Sequence, residues 1–424
     1  MKKLKIAILS FPGNNCEVES LRSIKRCGME AVFFKWNGSH KKLSDVDGYF
    51  IPGGFSYEDR GRAGMVAARD PLLAFLFEEA EKGKVIIGNC NGAQVLVESG
   101  LIPLNKGLRM SLARNVVDNE AVGFLNEWIW ITPTCARDRC ATSDWEGAMQ
   151  LPIAHGEGRF VTKDKDVIEE LKRNDQIAFS YCDSEGNVSD EAPICPNGSM
   201  FGAAGICNKE GNVVALMPHP ERTIAGDPYF ISMKNWIEEK RSITRASLFT
   251  VSTDELRPAD EENKSNLNGM KLTDLEKRDV EIFIDTIIVN NEERTVEQAA
   301  KRIASDIKIK QSKYFSSKEM EPQQVLSILS LFNPNKEIAY IKRGQKVTKW
   351  NPDKKKEEVT QSPLEKGITI IRRDVPDTGA GILGKGAISG ICYVLGNIKE
   401  QDLYTIKLLE VFSNPHSSTL SILR

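Results

Sequence analysis

Residues 84–96, KVIIGNCNGAQVL, place one cysteine at a turn between a strand and a helix. A short apolar run stops at Gly88, Cys90 follows at the apex, and a segment of helical character begins after Gly92. Glycine two residues to either side lets strand and helix pack closely when the central backbone is strained. A thiol at a helix N-terminus is also favoured as the thiolate. The stretch therefore predicts a nucleophile elbow, although an ordinary strand-to-helix turn with a buried cysteine has the same local pattern.

The segments that precede the elbow alternate between short apolar runs and helical patterns. Apolar runs stand at 4–9, 31–34 and 47–51, and helical spacing is found at 16–27 and 71–82. This alternation is typical of an α/β fold with a mostly parallel sheet covered by helices. Chemistry in such sheets collects at the carboxyl ends of the strands. The elbow is therefore expected at that edge.

A glycine pair, Gly53-Gly54, follows Pro52 at the end of the strand predicted at 47–51 and shares the predicted sheet edge. The backbone N–H groups of such a pair can point outward and donate to a developing oxyanion. The N–H that follows the nucleophile, that of Asn91, is expected to be the second donor. A plain glycine turn would have the same sequence.

A nucleophilic thiol needs a base and a residue that orients the base. Of the four histidines, His40 is predicted to be a solvated surface residue and His416 an ordinary turn residue. His219 ends another apolar run, lies between two prolines, and is followed two residues later by Glu221. We therefore expect His219 as the base and Glu221 as its orienter, although a surface loop with an incidental ion pair would look alike.

His155 is the alternative base. It lies in the glycine-rich segment PIAHGEGRF at 152–160, which suits contact with a ligand or a partner. No proline fixes a strand end around it. We predict a positioning or partner-contact role for His155 and for Arg159 in the same segment.

Composition limits the other classes of function. A formal net charge of −2 over 424 residues gives no overall attraction to nucleic acid or an anionic membrane, and no segment approaches the length of a membrane span. The nine cysteines include no CxxC pair, and no histidine stands near the closest pair, Cys135 and Cys140. We expect free thiols in a cytoplasmic protein without a metal.

Five stretches carry a resemblance to a known family: PGGFSYEDRGRAG at 52–64, GNCNGAQVL at 88–96, LPIAHGEGRF at 151–160, PNGSMFGAAGI at 196–206 and MPHPERT at 217–223. With them, residues 3–235 resemble the glutaminase subunit of phosphoribosylformylglycinamidine synthase, a class I glutamine amidotransferase of purine biosynthesis. A cysteine elbow with His-Pro-Glu is typical of the wider class. The PGGFSY, PIAHGEGRF and PNGS segments indicate this subunit.

The resemblance implies a glutaminase reaction. The family's functional positions fall on the triad Cys90, His219 and Glu221, on the oxyanion glycines Gly53 and Gly54, and on Gln94 of the elbow motif. The thiolate is expected to attack the side-chain amide of glutamine while the histidine passes a proton to departing ammonia. Water then hydrolyses the γ-glutamyl thioester.

The resemblance also implies partners. Ammonia is expected to pass to a separate synthetase subunit, which uses ATP and Mg to convert formylglycinamide ribonucleotide to formylglycinamidine ribonucleotide. No cofactor is expected in this chain, which has no GxxxxGK[ST] phosphate loop.

One segment departs from the family pattern. Where the family usually carries an Asn followed by an Arg-Phe pair, residues 119–124 read NEAVGF. Gly123 has no guanidinium, so the role of the family's arginine is in question here.

The composition changes after the amidotransferase-like domain, which is predicted at 1–239. Residues 240–278 are polar and charged and are predicted to be a linker, and residues 279–424 show the mixed pattern of an α+β domain. The elements expected in this domain are strands at 280–284, 306–315, 367–371 and 419–423, helices at 295–304, 321–331 and 403–412, and a basic loop at 342–358.

This C-terminal part weakly resembles the small subunit that bridges glutaminase and synthetase in the same synthase. The similar pieces are 293–315 and 407–423, with Ser312 where that family has glycine. A fusion would raise the effective concentration of an obligate partner. An unrelated α+β domain without chemistry of its own is the alternative.

Two other classes of function remain open from the sequence. One is a Cys-triad glutaminase or peptidase that serves another pathway. The other is a catalytically silent interaction scaffold, against which the complete set of Cys90, His219 and Glu221 argues.

Overall fold

The computed structural model describes residues 3–104, 107–118, 120–248, 272–276, 278–317, 321–360, 367–377, 379, 383, 386–405 and 407–424. The chain divides into two compact units, Met1–Gly269 and Met270–Arg424. Residues 249–271 of the predicted linker lie outside the described residues. The domain boundaries predicted at 239 and 279 therefore stay predictions.

The first unit is built on a nine-stranded sheet with the order β2-β1-β3-β4-β13-β12-β11-β8-β9. Its strands are β1 (Lys5–Ser10), β2 (Glu30–Lys35), β3 (Gly48–Ile51), β4 (Val85–Asn89), β8 (Leu125–Pro133), β9 (Met149–His155), β11 (Ile177–Cys182), β12 (Ala203–Cys207) and β13 (Val213–Leu216). Outside it lie β5 (Ser111–Arg114), β6 (Val116–Val117), β7 (Glu120–Ala121) and β10 (Glu157–Val161). The helices are α1 (Glu17–Arg26), α2 (Pro71–Glu81), α3 (Asn91–Ser99), α4 (Lys165–Arg173) and α5 (Asp227–Leu248).

The α/β class is confirmed, and the sheet is mixed. Strands β2, β1, β3, β4 and β13 pair in parallel, whereas β13, β12, β11, β8 and β9 pair antiparallel. The short connection between β12 and β13 is long enough for a hairpin but too short for a crossover helix. Half of the strand pairs are parallel, whereas the sequence predicted a mostly parallel sheet.

The parallel strands are buried on both faces, as their continuous apolar runs require. Ala7 and Leu9 of β1 belong to a core that α2 and α3 cover. Ile6 and Ile8, which point the opposite way, belong to a second core that includes side chains of α1 and α5. Helix α5 continues to Leu248, beyond the predicted end of the domain.

Three neighbouring parallel strands, β3, β4 and β13, end at the same edge of the sheet. Ile51 at the end of β3 is level with Gly88 of β4, and Leu216 at the end of β13 is level with Asn89. The residues that follow these strands are the glycine pair, Cys90 and the His219 segment. The fold therefore brings three distant parts of the chain side by side.

The glycines of the elbow are required by close packing. A Cβ on Gly92 would lie 2.0 Å from the carbonyl oxygen of Ile51, and one on Gly88 would lie 2.4 Å from the carbonyl oxygen of Gly92. Both distances are far below van der Waals contact. The expectation that these glycines let the strand and helix approach is confirmed.

The second unit contains another nine-stranded sheet, with the order β14-β22-β20-β21-β16-β15-β17-β18-β19. Its strands are β14 (Thr273–Asp274), β15 (Val280–Thr286), β16 (Lys308–Ser317), β17 (Glu337–Arg343), β18 (Lys346–Asn351), β19 (Lys356–Val359), β20 (Ile368–Asp374), β21 (Ile388–Gly396) and β22 (Ser418–Leu423). Described helices are α6 (Asn291–Lys301), α7 (Pro322–Leu326), α8 (Glu400–Thr405) and α9 (Leu409–Phe412).

The predicted basic loop at 342–358 is wrong. The segment supplies the end of β17, all of β18 and part of β19. Thr348 and Trp350 of β18 are buried, whereas Lys346 and Lys349 are exposed. The many lysines of 342–358 gave the segment the composition of a loop. The helix predicted at 321–331 is shorter, and the one predicted at 403–412 is two short helices. In the described residues no helix has the length and apolar character to cross a membrane.

Substitution of Gly92 by Ala should destabilise the first unit, because the new methyl group overlaps the carbonyl oxygen of Ile51. We expect its unfolding midpoint in calorimetry to fall by about 6 °C or more. Gly156→Ala is the matched control, since the nearest atom to its Cβ is Cδ2 of Phe124 at 3.8 Å. Equal midpoints for the two variants would contradict the packing argument.

Candidate active site

Cys90 occupies a strained turn between β4 and α3. Its backbone has φ 51° and ψ −108°, a conformation that residues with a side chain rarely adopt. The Cys90 N–H donates to the Leu216 carbonyl at 2.8 Å, and the Gln94 N–H donates to the Cys90 carbonyl at 3.1 Å. These bonds hold the strained turn between β13 and the first turn of α3. The thiol donates to the Ala154 carbonyl at 3.6 Å.

The thiol faces a cavity of about 420 Å³, a volume that includes its open mouth. Side chains from the elbow, from the segment after β3 and from the turn between β9 and β10 line it, including Cys90, Gln94, Asp59, His155 and Glu157. The rings of Phe55 and Phe124 stack with centroids 6.3 Å apart and are exposed. The cavity therefore reaches the nucleophile.

His219 and Glu221 form a buried pair at the end of β13. Nδ1 of His219 lies 2.6 Å from Oε1 of Glu221, and the His219 N–H donates to the Pro152 carbonyl at 3.0 Å. The second ring nitrogen, Nε2, is buried and has no hydrogen bond among the described residues. Nε2 is therefore the nitrogen available to Cys90 or to a substrate.

The charges around His219 favour its protonated form. Burial lowers the pKa of His219, but the negative charges of Cys90 and Glu221 outweigh burial and hold it well above its usual 6.5. Burial raises the pKa of Glu221, and the charge of His219 overcomes this and keeps it below the usual value. Glu221 therefore helps to hold His219 as an imidazolium.

Asn89 supports this pair and was missed by the sequence analysis. Its Nδ2 donates to Oε2 of Glu221 at 3.0 Å, and its Oδ1 accepts from the Tyr229 hydroxyl at 3.2 Å. The residue before the nucleophile thus orients the carboxylate that orients the base. In the sequence, only the position of Asn89 directly before Cys90 pointed to a role in the site.

Gly53 is needed because the imidazole lies against it. A Cβ at this position would be 2.6 Å from Cε1 of His219 and 3.2 Å from Sγ of Cys16. Gly54 has φ +135°, and a Cβ there would be 2.5 Å from the Asn15 nitrogen. The structure places Gly54 on the cavity wall. The oxyanion role of the pair stays a prediction.

Asn91 and Gln94 lie on the first turn of α3, and both are buried. As the first residue of the helix, Asn91 has a backbone N–H without an intrahelical partner. The Gln94 amide donates through Nε2 to the Glu157 carbonyl at 2.6 Å and accepts through Oε1 from Asn91 at 2.9 Å. Gln94 therefore ties the elbow to the turn at 157, and its glutamine-binding role stays a prediction.

His155 lies on the cavity wall, whereas Arg159 does not. Nε of Arg159 donates to the Arg114 carbonyl at 2.9 Å, in a half-buried position. Gly123, at φ +75°, has open space around the position of a Cβ. Its neighbour Phe124 lines the cavity. Asn119 of the same segment lies outside the described residues.

Cys16 is a second buried thiol beside the triad, which the sequence analysis did not single out. Nη2 of Arg222 donates to Sγ of Cys16 at 3.0 Å, and Nδ1 of His219 lies 3.9 Å from the same sulfur. In the described part of the chain, the ligand atoms of Cys16, His219 and Glu221 lie within 4.8 Å of one another, close enough to hold a metal ion. Nδ1 of His219 and Glu221 are, however, already bonded to each other.

Comparison with known proteins identifies the family. The model of the CobB/CobQ-like glutamine amidotransferase domain matches residues 3–249. The PurQ subunit of phosphoribosylformylglycinamidine synthase from Methanothrix thermoacetophila is 44% identical over 262 residues, which are 56% of this chain and 100% of that protein. The chain belongs to the PurQ family of glutamine amidotransferases. The PurQ subunit of Pyrococcus furiosus is 37% identical over 238 residues, 55% of this chain and 95% of its own length.

The structure described as PurLQS from Thermotoga maritima covers 56% of this chain and 100% of the matched chain, at 28% identity and a TM-score of 0.45. The predicted family and the class of enzyme are confirmed. Since the family model ends at residue 249, it does not describe the second unit.

Cys90 should be the first thiol that iodoacetamide modifies at pH 7. Burial and neighbouring acids raise the pKa of Cys27 and that of Cys182 to about 11, so these thiols are almost fully protonated. His219 is the proposed base for the Cys90 thiol, so His219→Gln should slow alkylation of Cys90 about 10-fold or more. Peptide mass spectrometry measures each rate. Labelling of Cys27 as fast as Cys90 would contradict the assignment.

Proposed function

We propose that this PurQ-family chain hydrolyses glutamine through a Cys90–His219–Glu221 triad and supplies the ammonia for amination of formylglycinamide ribonucleotide. The observation that carries the proposal is the meeting of a strained cysteine and a buried His–Glu pair at neighbouring strand ends. The cavity that Cys90 faces is the proposed glutamine site.

The first step forms a thioester. The Cys90 thiolate attacks the side-chain amide carbon, and the oxyanion accepts hydrogen bonds from the backbone N–H of Asn91 and from the Gly53-Gly54 turn. His219 gives its Nε2 proton to the amide nitrogen, so the C–N bond breaks and ammonia leaves. The glutamyl group then remains on the sulfur of Cys90.

The second step regenerates the enzyme. The neutral His219 takes a proton from water, which attacks the thioester carbonyl, and the sulfur leaves as the thiolate. Glu221, held by Asn89, stabilises the imidazolium that forms in each step. Glutamate is the product that departs.

The proposed partner is an ATP-dependent synthetase subunit, which holds ATP and Mg and consumes the ammonia. No cofactor is assigned to this chain, because the triad and backbone N–H groups suffice for amide hydrolysis. A reducing cytoplasm is the proposed location, which the nine free cysteines support.

Ammonia release from glutamine tests this function. Wild type should release ammonia with the synthetase, ATP and formylglycinamide ribonucleotide present, and Cys90→Ala should lose at least about 10³-fold in kcat because the nucleophile is gone. Measurement without the synthetase shows how far hydrolysis depends on the partner. A wild-type chain that stays inactive in a correctly assembled complex would contradict the proposal, as would equal activity of Cys90→Ala.

We further propose that residues 279–424 act as a fused counterpart of the small bridging subunit. A separate compact unit with its own nine-stranded sheet supports this arrangement. The resemblance at 293–315 and 407–423 points to the same role. Tethering keeps a bridging module at a high effective concentration near the glutaminase.

Removal of residues 278–424 tests the bridging role. The intact chain should bind the synthetase without a separate small subunit, and the truncated chain should bind at least about 10-fold more weakly. Addition of a separate small subunit should restore binding, which controls for misfolding of the truncated chain. Complex formation is measured by analytical ultracentrifugation. Unchanged assembly after truncation would contradict the role.

A further inference from the structure

Six central strands of the second sheet are arranged symmetrically about the pairing of β16 with β21. On one side lie β16, β15 and β17, and on the other lie β21, β20 and β22. We call residues 280–343 the first half and residues 368–423 the second half. In each half the strand that comes first in the chain lies between the other two and pairs antiparallel with both. A helix also precedes the third strand of each half, α7 in the first and α8 in the second. The two halves therefore share one order of elements.

The register of the strands corresponds as well. In each half one buried isoleucine of the central strand is level with a buried residue of both neighbouring strands: Ile282 with Phe315 and Ile341, and Ile370 with Tyr393 and Ile422. Side chains one position away, on the other face of the sheet, belong to a single core that both halves share: Phe283, Tyr314, Ile371 and Cys392. The two halves thus place equivalent residues on equivalent faces.

The turn before the third strand is the same in both halves. Asn333-Pro334 precedes β17, and Asn414-Pro415 precedes β22. The carbonyl of each asparagine accepts from the backbone N–H groups three and four residues later, at 3.0 and 2.8 Å after Asn333 and at 3.1 and 2.9 Å after Asn414. Oδ1 of each asparagine accepts at 3.1 Å from the N–H two residues later. The order of strands does not require the same residues in this turn, so the likeness points to duplication of one module.

The pairing of β16 with β21 has the geometry of an interface between two identical partners. Phe315 of β16 corresponds to Tyr393 of β21 by the register of the two halves. Two residues earlier in the same strands, Lys313 therefore corresponds to Ile391. These two residues lie directly opposite each other in the antiparallel pair, which places a local two-fold axis between them. Two copies of one module that bind through the same surface meet in this way.

We propose that residues 280–423 contain two copies of one module, and that β16 and β21 are the surfaces through which one copy binds the other. The partner of the first half is thus a second copy supplied by the same chain. Without the second half, β16 would present unpaired backbone N–H and C=O groups to any strand that could pair with them. The consequence for assembly rests on the bridging role proposed above: one chain carries the complete pair of modules and needs no separate small subunit.

A disulfide between β16 and β21 tests this pairing in the full chain. Ser312 lies directly opposite Cys392, which is the only cysteine in the sequence after residue 360. A protease site inserted between Thr360 and Gly367 allows the chain to be cut between the halves after it has folded. Oxidation of Ser312→Cys should link the two pieces, because opposite side chains on paired strands are close enough for a disulfide.

Lys313→Cys is the matched control, since its side chain lies on the other face of β16. Non-reducing electrophoresis measures the linked fraction, which should be at least about 10-fold higher for Ser312→Cys than for the control. Equal linked fractions in the two variants would overturn the proposal.

Removal of the second half alone tests whether β16 accepts another copy of the module. In analytical ultracentrifugation, a chain that ends at Thr360 should dimerise through β16, whereas the full chain, whose β16 is covered, should not dimerise through this strand. In the shortened chain, Lys313→Cys should link two chains by a disulfide, because position 313 lies at the two-fold axis. Lys308→Cys is the control, since it lies far from the axis and does not meet its equivalent.

Co-expression of residues 361–424 as a separate polypeptide should return a one-to-one pair, which controls for misfolding of the shortened chain. A shortened chain that stays monomeric, or that is linked equally through both positions, would overturn the proposal. An intact chain that passes both tests and still fails to bind the synthetase would instead contradict the bridging role.

Discussion

The parallel register of β3, β4 and β13 is the constraint on which the site depends. Because Ile51 is level with Gly88 and Leu216 with Asn89, the three strands end at the same edge of the sheet. Residues far apart in sequence then meet without any long loop. A one-residue shift of β13 would turn its side chains to the other face and carry His219 away from Cys90.

Close packing at this edge of the sheet positions the reactive side chains. The strained backbone of Cys90 points its thiol into the cavity, and Gly92 leaves room for the helix that follows against Ile51. Gly53 likewise leaves room for the imidazole of His219. Backbone strain of this kind costs free energy that the surrounding cores must offset. The apolar cores on both faces of the sheet provide that support.

The sequence predicted the elbow, the triad residues and the parallel strands, because each has a local signature of glycine, proline or continuous apolar character. It did not predict Asn89, whose importance comes from Glu221, a partner distant in the chain. It also misassigned 342–358, where exposed lysines conceal the alternation of a strand. Contacts across the fold, unlike turns, leave no pattern in a single sequence.

The most direct test of the account is the capture of the covalent intermediate. Wild-type protein in its complex is mixed with isotopically labelled glutamine, quenched in acid within one turnover, and digested for mass spectrometry. The account predicts one labelled glutamyl group on Cys90, stable in acid and released by hydroxylamine. Ammonia release with the label on another residue would contradict it, as would ammonia release under these conditions with no labelled residue at all.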